Sequence, residues 1–123
     1  MQTLDTFTKS YVACALWSST DNADDTGGDP FGKNYSMDDI ASETIASMVA
    51  DCLQFQADNK ADLVESNLTD ERAGHDFWLN RNGHGSGFWD EGDEPVFRRL
   101  SDASNECGTV DLYLGDDGKI YAA

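Results

Sequence analysis

The chain has 123 residues and a strongly acidic composition, with 24 Asp and Glu against 8 Lys and Arg, a formal net charge of −16 and a pI near 4.1. Such a charge argues against direct binding to nucleic acid or to an anionic membrane, and it predicts a basic partner. Hydrophobic residues make up 39% of the chain, so we expect it to fold. The length predicts one domain over residues 1–123.

The N-terminus lacks a basic stretch, and the longest apolar run, residues 11–17, is too short to span a membrane. We therefore expect a cytoplasmic protein. Cys14, Cys52 and Cys107 are odd in number and lie in apolar periodic segments, which favours buried reduced thiols over disulfides or a zinc site. The sequence predicts no cofactor and no catalytic residue.

The first predicted element is an amphipathic helix over residues 4–18, because Leu4, Phe7 and Tyr11 follow the spacing of one helix face. Residues 18–35 are rich in Gly, Ser and Asp and lack an apolar period. This composition predicts a long acidic loop.

A second helix is predicted to begin at Ser36, since Ser36 and Asp39 have the spacing of a capping box. We expect this helix to reach Phe55 or beyond, followed by a shorter helical segment over residues 57–65. Its buried stripe consists of apolar residues at helical spacing: Ala41, Ile45, Met48, Val49, Cys52 and Leu53.

The second half of the chain predicts strands. Residues 74–90 are aromatic and Gly-rich around Asn82 and Gly83, a dipeptide typical of a type I′ hairpin turn. In that register His75 lies opposite Asp90. The segment therefore predicts a first β-hairpin.

A short helix is predicted after Pro95, ending before Gly108, and a second hairpin over residues 110–121 turns at residues 115–118. Helices followed by strands predict an α+β fold, with N-terminal helices packed on a small antiparallel sheet of C-terminal hairpins.

The excess negative charge concentrates in residues 21–71, which hold 13 acidic and 2 basic side chains, a local charge of −11. Carboxylates on successive helical turns lie about 5–6 Å apart, comparable to the spacing of nucleic-acid phosphates, so a fixed array fits a groove lined with Lys and Arg. An ordinary solvated helix face explains the same pattern. The predicted partner-binding residues are Asp21, Asp24, Asp25, Asp29, Asp38, Asp39, Glu43, Asp51, Asp58, Asp62 and Glu65.

Two other functions stay open. His75, His84 and Asp90 have metal-ligand chemistry and suggest a metal-binding protein or a metal-dependent hydrolase, although their spacing matches no established metal motif. Alternatively, exposed aromatic residues would form a homo-oligomer in a structural or virion-associated module.

The sequence HDFWLNRNGHGSGFWD of residues 75–90, together with residues 110–121, resembles a group of small uncharacterised proteins of bacteriophages and mobile elements. The likeness extends to residues 15–19 and 35–56. The resemblance implies an accessory protein in the cytoplasm of a bacterial host, inhibiting a nucleic-acid-binding or defence protein in the manner of anti-CRISPR or anti-restriction proteins. We therefore expect DNA mimicry by an acidic surface that blocks a basic groove.

Overall fold

A computed structural model describes residues 4–21, 29–83 and 86–123. Within these ranges the α-helices are α1 (Thr6–Ser18), α2 (Phe31–Asn34), α3 (Ser42–Asp58), α4 (Lys60–Ser66), α5 (Asp70–Arg81) and α6 (Pro95–Glu106). The strands form two antiparallel pairs, β1 (Thr20–Asp21) with β2 (Asp29–Pro30) and β3 (Leu112–Leu114) with β4 (Ile120–Ala122). The predicted α+β class is confirmed, with more helix than the sequence suggests.

Helices α1 and α5 pack closely against each other at the centre of the fold. The predicted first helix is confirmed and begins at Thr6, because the Asp5 carboxylate caps it by accepting a 2.8 Å hydrogen bond from the Thr8 backbone N–H. Gly74 permits the close approach, since a Cβ there would collide with the backbone carbonyl of Phe7.

An aromatic cluster fills the core. The Phe55 ring stacks on Phe77 with 4.1 Å between centroids and on Phe88 with 5.8 Å, while Tyr11 meets Trp78 edge-on at 5.3 Å. Each of the five side chains is at most 2% exposed. They come from α1, α3, α5 and a 3₁₀ turn after α5, so the burial of aromatic surface holds these elements together.

The predicted capping box exists, but it caps a 3₁₀ turn rather than the long helix. Ser36 and Asp39 exchange side-chain and backbone hydrogen bonds around Met37–Asp39. Ile40 then becomes extended and pairs with Ile120 of β4, because the Ala41 N–H donates to the Ile120 carbonyl at 2.9 Å. The long helix α3 therefore begins only at Ser42. The shorter helical segment is present as α4.

The predicted first hairpin is wrong. Residues 75–81 belong to α5, which Thr69 caps by accepting a hydrogen bond from the Arg72 N–H at 3.1 Å. Gly83, with φ of 65°, ends this helix instead of forming the turn of a hairpin. The predicted pairing of His75 with Asp90 across two strands is therefore absent.

The C-terminal predictions are confirmed. Pro95 occupies the first turn of α6, and the hairpin pairs Leu112 with Ala122 and Leu114 with Ile120. Since β4 also contacts α3, the helices do pack on this small sheet.

The predicted acidic loop over residues 18–35 contains structure at both ends. Thr20 pairs with Pro30 in the short β1–β2 ladder, and α2 follows immediately. The Phe31 side chain is 1% exposed and packs edge-on against Tyr35, with ring centroids 5.8 Å apart. Burial of that ring anchors α2 in the core. Residues 22–28 lie outside the described ranges.

Across residues 4–21, 29–83 and 86–123, no helix has the length and apolar character needed to cross a membrane.

We expect Gly74→Ala to destabilise the protein by about 2 kcal/mol, because the added methyl group forces α1 and α5 apart. At an exposed helix position, Gly→Ala would stabilise the protein by up to about 1 kcal/mol. The sign of the change in unfolding free energy therefore distinguishes a tightly packed glycine from an exposed one. Urea unfolding measures the change. Ala46→Gly, at an exposed position of α3, calibrates the helix propensity of this protein. A stabilised Gly74→Ala variant would contradict the close packing.

Candidate functional site

The predicted acidic residues do not form one evenly spaced ladder. Asp39 lies in the 3₁₀ turn before α3, where its carboxylate accepts a 2.8 Å hydrogen bond from the Ser36 N–H. Within α3, Glu43 and Asp51 are eight positions apart, which corresponds to about 12 Å along the helix axis. This spacing is roughly twice that of successive helical turns.

Asp51 is neutralised by the buried guanidinium of Arg81. The Arg81 side chain is only 4% exposed, and its Nη1 lies 3.0 Å from both Asp51 Oδ2 and the Tyr11 hydroxyl oxygen. Its Nε and Nη2 donate to the carbonyls of Gly108 and Cys107 at 2.8 and 2.9 Å. Asp51 therefore has a structural role. Sequence reasoning missed Arg81, although an arginine four positions after Phe77 shares its helix face.

Asp62 and Glu65 of α4 are paired with Arg99 of α6. The Arg99 Nε lies 3.0 Å from Asp62 Oδ1, and its Nη2 lies 3.0 Å from Glu65 Oε2. The nearby Asp58 is exposed and accepts a hydrogen bond from Gln54 at 2.8 Å. These pairs bridge α4 and α6, so two of the three acids are partly neutralised within the chain.

The four predicted residues of the acidic loop are described only in part. Asp21 and Asp29 lie opposite each other in the β1–β2 ladder. Asp24 and Asp25 lie outside the described residues. Their contribution to partner binding stays a prediction.

Exposed carboxylates lie on the two segments that the Ile40–Ile120 pairing joins. We define the hairpin acidic surface as Asp38, Glu43, Asp116 and Asp117. Asp38 and Glu43 flank the segment that pairs with Ile120, while Asp116 and Asp117 occupy the turn before β4.

Two stacked tyrosines accompany the hairpin acidic surface. The Tyr113 and Tyr121 rings lie 5.9 Å apart, and Tyr113 is 48% exposed. The Tyr121 hydroxyl donates to Asp117 at 2.6 Å, and this bond holds the pKa of the Asp117 carboxyl below its ordinary value. Asp117 therefore remains ionised at neutral pH. Glu43 interacts electrostatically with Tyr121, which places α3 beside the tyrosine pair.

A second group of charged side chains surrounds the buried Asp76 of α5. The Asp76 side chain is 1% exposed, and both its oxygens lack a hydrogen-bond partner among the described residues. Arg72 Nε lies 3.8 Å from Asp76 Oδ1 but donates to Glu91 Oε2 at 2.9 Å, while its Nη2 donates to Glu91 Oε1 at 2.8 Å. Burial, together with the negative charge of Glu91, raises the pKa of Asp76 to about 8.

The residues of the metal alternative are only partly described. His75 lies on α5, with Nδ1 4.0 Å from Asp76 Oδ1, and His84 lies outside the described residues. Asp90 accepts hydrogen bonds from the Gly87 N–H and the Ser86 hydroxyl. In the part of the chain that the structure covers, no three His, Cys, Asp or Glu side chains form a metal-binding group. A role for His75 and His84 stays a prediction.

The aromatic residues divide between the core and the surface. Trp17 is 60% exposed and Trp89 53% exposed, whereas Phe77, Trp78 and Phe88 are buried. Trp17 borders a groove of about 580 Å³ between α1 and α5, which Cys14 and His75 also line. Burial raises the pKa of the Cys14 thiol to about 12, so this cysteine is not a nucleophile at neutral pH.

Comparison with known proteins identifies no relative: no protein family matches the chain, and neither does any curated protein or solved structure. The predicted resemblance to phage-encoded proteins is untested by these comparisons.

We expect Arg81→Ala to destabilise the fold by about 3 kcal/mol, because it leaves the Tyr11 hydroxyl, Asp51 and two carbonyls without their shared donor. Arg99→Ala is the matched control, since it also removes an arginine that pairs with carboxylates, but an exposed one. Urea unfolding should show a much smaller loss for Arg99→Ala. Equal losses would contradict the structural role of Arg81.

The cysteines give a further prediction. Cys14 and Cys52 are buried as expected, but Cys107 is exposed, which corrects the prediction of three buried thiols. Burial raises the pKa of all three thiols, but Cys107 is the one that solvent and a reagent can reach. A colorimetric disulfide reagent at pH 7.5 should therefore modify one thiol rapidly in the folded protein and all three in denaturant, and Cys107→Ser should remove the rapid phase. Rapid reaction of two or more thiols would contradict this burial.

Proposed function

We propose that this protein works by binding, and that its hairpin acidic surface occupies a basic groove of a nucleic-acid-binding protein. The observation that carries the proposal is the distribution of charge. Some carboxylates pair with Arg72, Arg81 and Arg99 of the same chain, whereas Asp38 and Glu43 face solvent. The formal net charge of −16 leaves a large excess of carboxylates over cations. The exterior therefore has a strong negative potential, which attracts Lys and Arg side chains.

The hairpin acidic surface is the best candidate contact because its backbone is fixed. The Ser36 capping box holds the 3₁₀ turn that contains Asp38, and the Ala41 N–H joins this segment to β4. The turn between β3 and β4 is closed by a 2.8 Å hydrogen bond from the Gly115 N–H to the Lys119 carbonyl. A fixed array of charges loses little conformational entropy on binding, which favours affinity for a matching groove.

Stacked tyrosines beside carboxylates suit a partner rich in arginine. Tyr113 offers an exposed aromatic face and Asp117 an ionised carboxylate on the same hairpin. A guanidinium can stack on an aromatic ring while it donates hydrogen bonds to a carboxylate. Arginine-rich grooves are common in proteins that bind nucleic-acid phosphates. We therefore propose inhibition by competition with nucleic acid, as in anti-CRISPR and anti-restriction proteins of phages.

The test is capture from a nuclease-treated bacterial lysate on the immobilised protein at 50 mM and 500 mM NaCl, followed by competition with duplex DNA. We expect basic nucleic-acid-binding proteins to be retained at low salt and released both by high salt and by DNA, because the attraction is screened. Retention that resists both treatments, or an absence of nucleic-acid-binding proteins at low salt, would contradict the proposal.

Charge-neutral variants locate the contact. Asp38→Asn, Glu43→Gln and Asp116→Asn combined should weaken binding to the captured protein by about 10-fold to 100-fold, at about 0.5–1 kcal/mol for each charge. The control removes the same charge from exposed positions elsewhere, as Asp93→Asn, Asp102→Asn and Glu106→Gln. Titration calorimetry at low salt compares the two. Equal weakening would show that net charge alone matters and would exclude the hairpin acidic surface.

A further inference from the structure

Asp76 occupies an unfavourable position for an ionised carboxylate. Its side chain is 1% exposed on the inner side of α5, and the folded chain provides neither oxygen with a hydrogen-bond donor among the described residues. Arg72 is the nearest cation, at 3.8 Å, but both of its donating nitrogens point to Glu91. An unpaired buried carboxylate is costly, so the neutral acid is the form that fits this position.

Charged and titratable groups face Asp76 from three elements. Arg72 and His75 lie on α5 itself, and Cys14 faces Asp76 from α1. Asp90, the last residue of the 3₁₀ turn, and Glu91, which follows it, approach from a third segment. Arg72 is the one permanent cation in this set, and Glu91 already neutralises it.

One proton on Asp76 removes the repulsion between the Asp76 and Glu91 carboxylates. Two ionised carboxylates offer acceptors only, whereas a protonated Asp76 donates a hydrogen bond to Glu91, which in turn remains ionised against Arg72. Arg72 and Asp76 belong to α5, while Glu91 follows the 3₁₀ turn Phe88–Asp90. The proton therefore links α5 to residues 86–91, the segment that places Phe88 against Phe55.

We propose that Asp76 and Glu91 share one proton beneath Arg72, and that this shared proton clamps residues 86–91 onto α5, so that its loss at mildly alkaline pH loosens the segment. On ionisation the proton passes to solvent, and two buried carboxylates then compete for one guanidinium. This device is independent of the hairpin acidic surface, which lies on other elements.

The stability of the fold should fall as the pH rises, because folding raises the pKa of Asp76. The folded state retains a proton that an Asp in the unfolded chain releases near pH 3.8, because the pKa of Asp76 is raised to about 8. The contribution of this group to stability is therefore complete below pH 3.8 and declines as the pH rises toward 8. Asp76→Asn keeps a neutral hydrogen-bond donor beside Glu91 at every pH.

The experiment measures urea unfolding midpoints from pH 5 to pH 9 for the unmodified chain, Asp76→Asn and Asp102→Asn, an exposed control on α6. We expect the midpoint of the unmodified chain and of Asp102→Asn to fall with rising pH. Asp76→Asn should lose most of this slope and be the most stable of the three at pH 9. An unchanged slope in Asp76→Asn would overturn the proposal.

A second measurement does not depend on the stability of that variant. Carbon-detected NMR of the aspartate carboxyls should show Asp76 titrating near pH 8 in the unmodified chain. In Glu91→Gln the midpoint of the Asp76 titration should fall by at least about one pH unit, because Arg72 becomes available to Asp76 and the negative charge of Glu91 is removed.

Hydrogen exchange reports on the segment itself. In the unmodified chain, the Asp90 and Glu91 amides donate to the carbonyls of Gly87 and Phe88, and over the same pH range they should lose protection from exchange. Titration of Asp76 below pH 6, or amides that stay protected at pH 9, would overturn the proposal.

Discussion

The buried guanidinium of Arg81 joins elements that are far apart in the sequence. It donates to Tyr11 of α1, to Asp51 of α3 and to the carbonyls of Cys107 and Gly108 that follow α6. Its carbon also lies 5.3 Å from the centroid of the Phe77 ring. A planar group with five donors in fixed directions can satisfy all these acceptors at once, which an ammonium group cannot do. This one side chain therefore ties α1, α3 and α5 to the end of α6, beside the aromatic cluster.

Two further arginines join elements through ion pairs at the surface. The chain has only 8 basic residues for 24 acidic ones, and Arg72 and Arg99, like the buried Arg81, pair with carboxylates of the same chain. Each pair fixes an inter-element contact, and acidic side chains outnumber basic ones threefold in the chain as a whole. A surface of this kind favours rapid, salt-sensitive association with a cationic partner.

The two charged regions have opposite physical character. At the hairpin acidic surface, the carboxylates are exposed to water. Around Asp76, exclusion of water makes ionisation unfavourable and turns a carboxyl group into a hydrogen-bond donor. We therefore propose recognition for the exposed carboxylates and a proton-dependent contact for the buried one, and solvent access makes the difference.

Local patterns in the sequence determined the α+β class, helices α1 and α6, most of α3 and the C-terminal hairpin, because periodicity, caps and turn residues act over a few positions. Tertiary contacts decided the rest. The alternating Gly and aromatic residues after Gly74 fit a strand as well as a helix, and packing against α1 selected the helix. The late start of α3 depends on Ile120, and the neutralisation of Asp51 depends on Arg81. Such contacts join positions that are distant in sequence, so no local pattern reveals which acidic residues stay free and which become part of the fold.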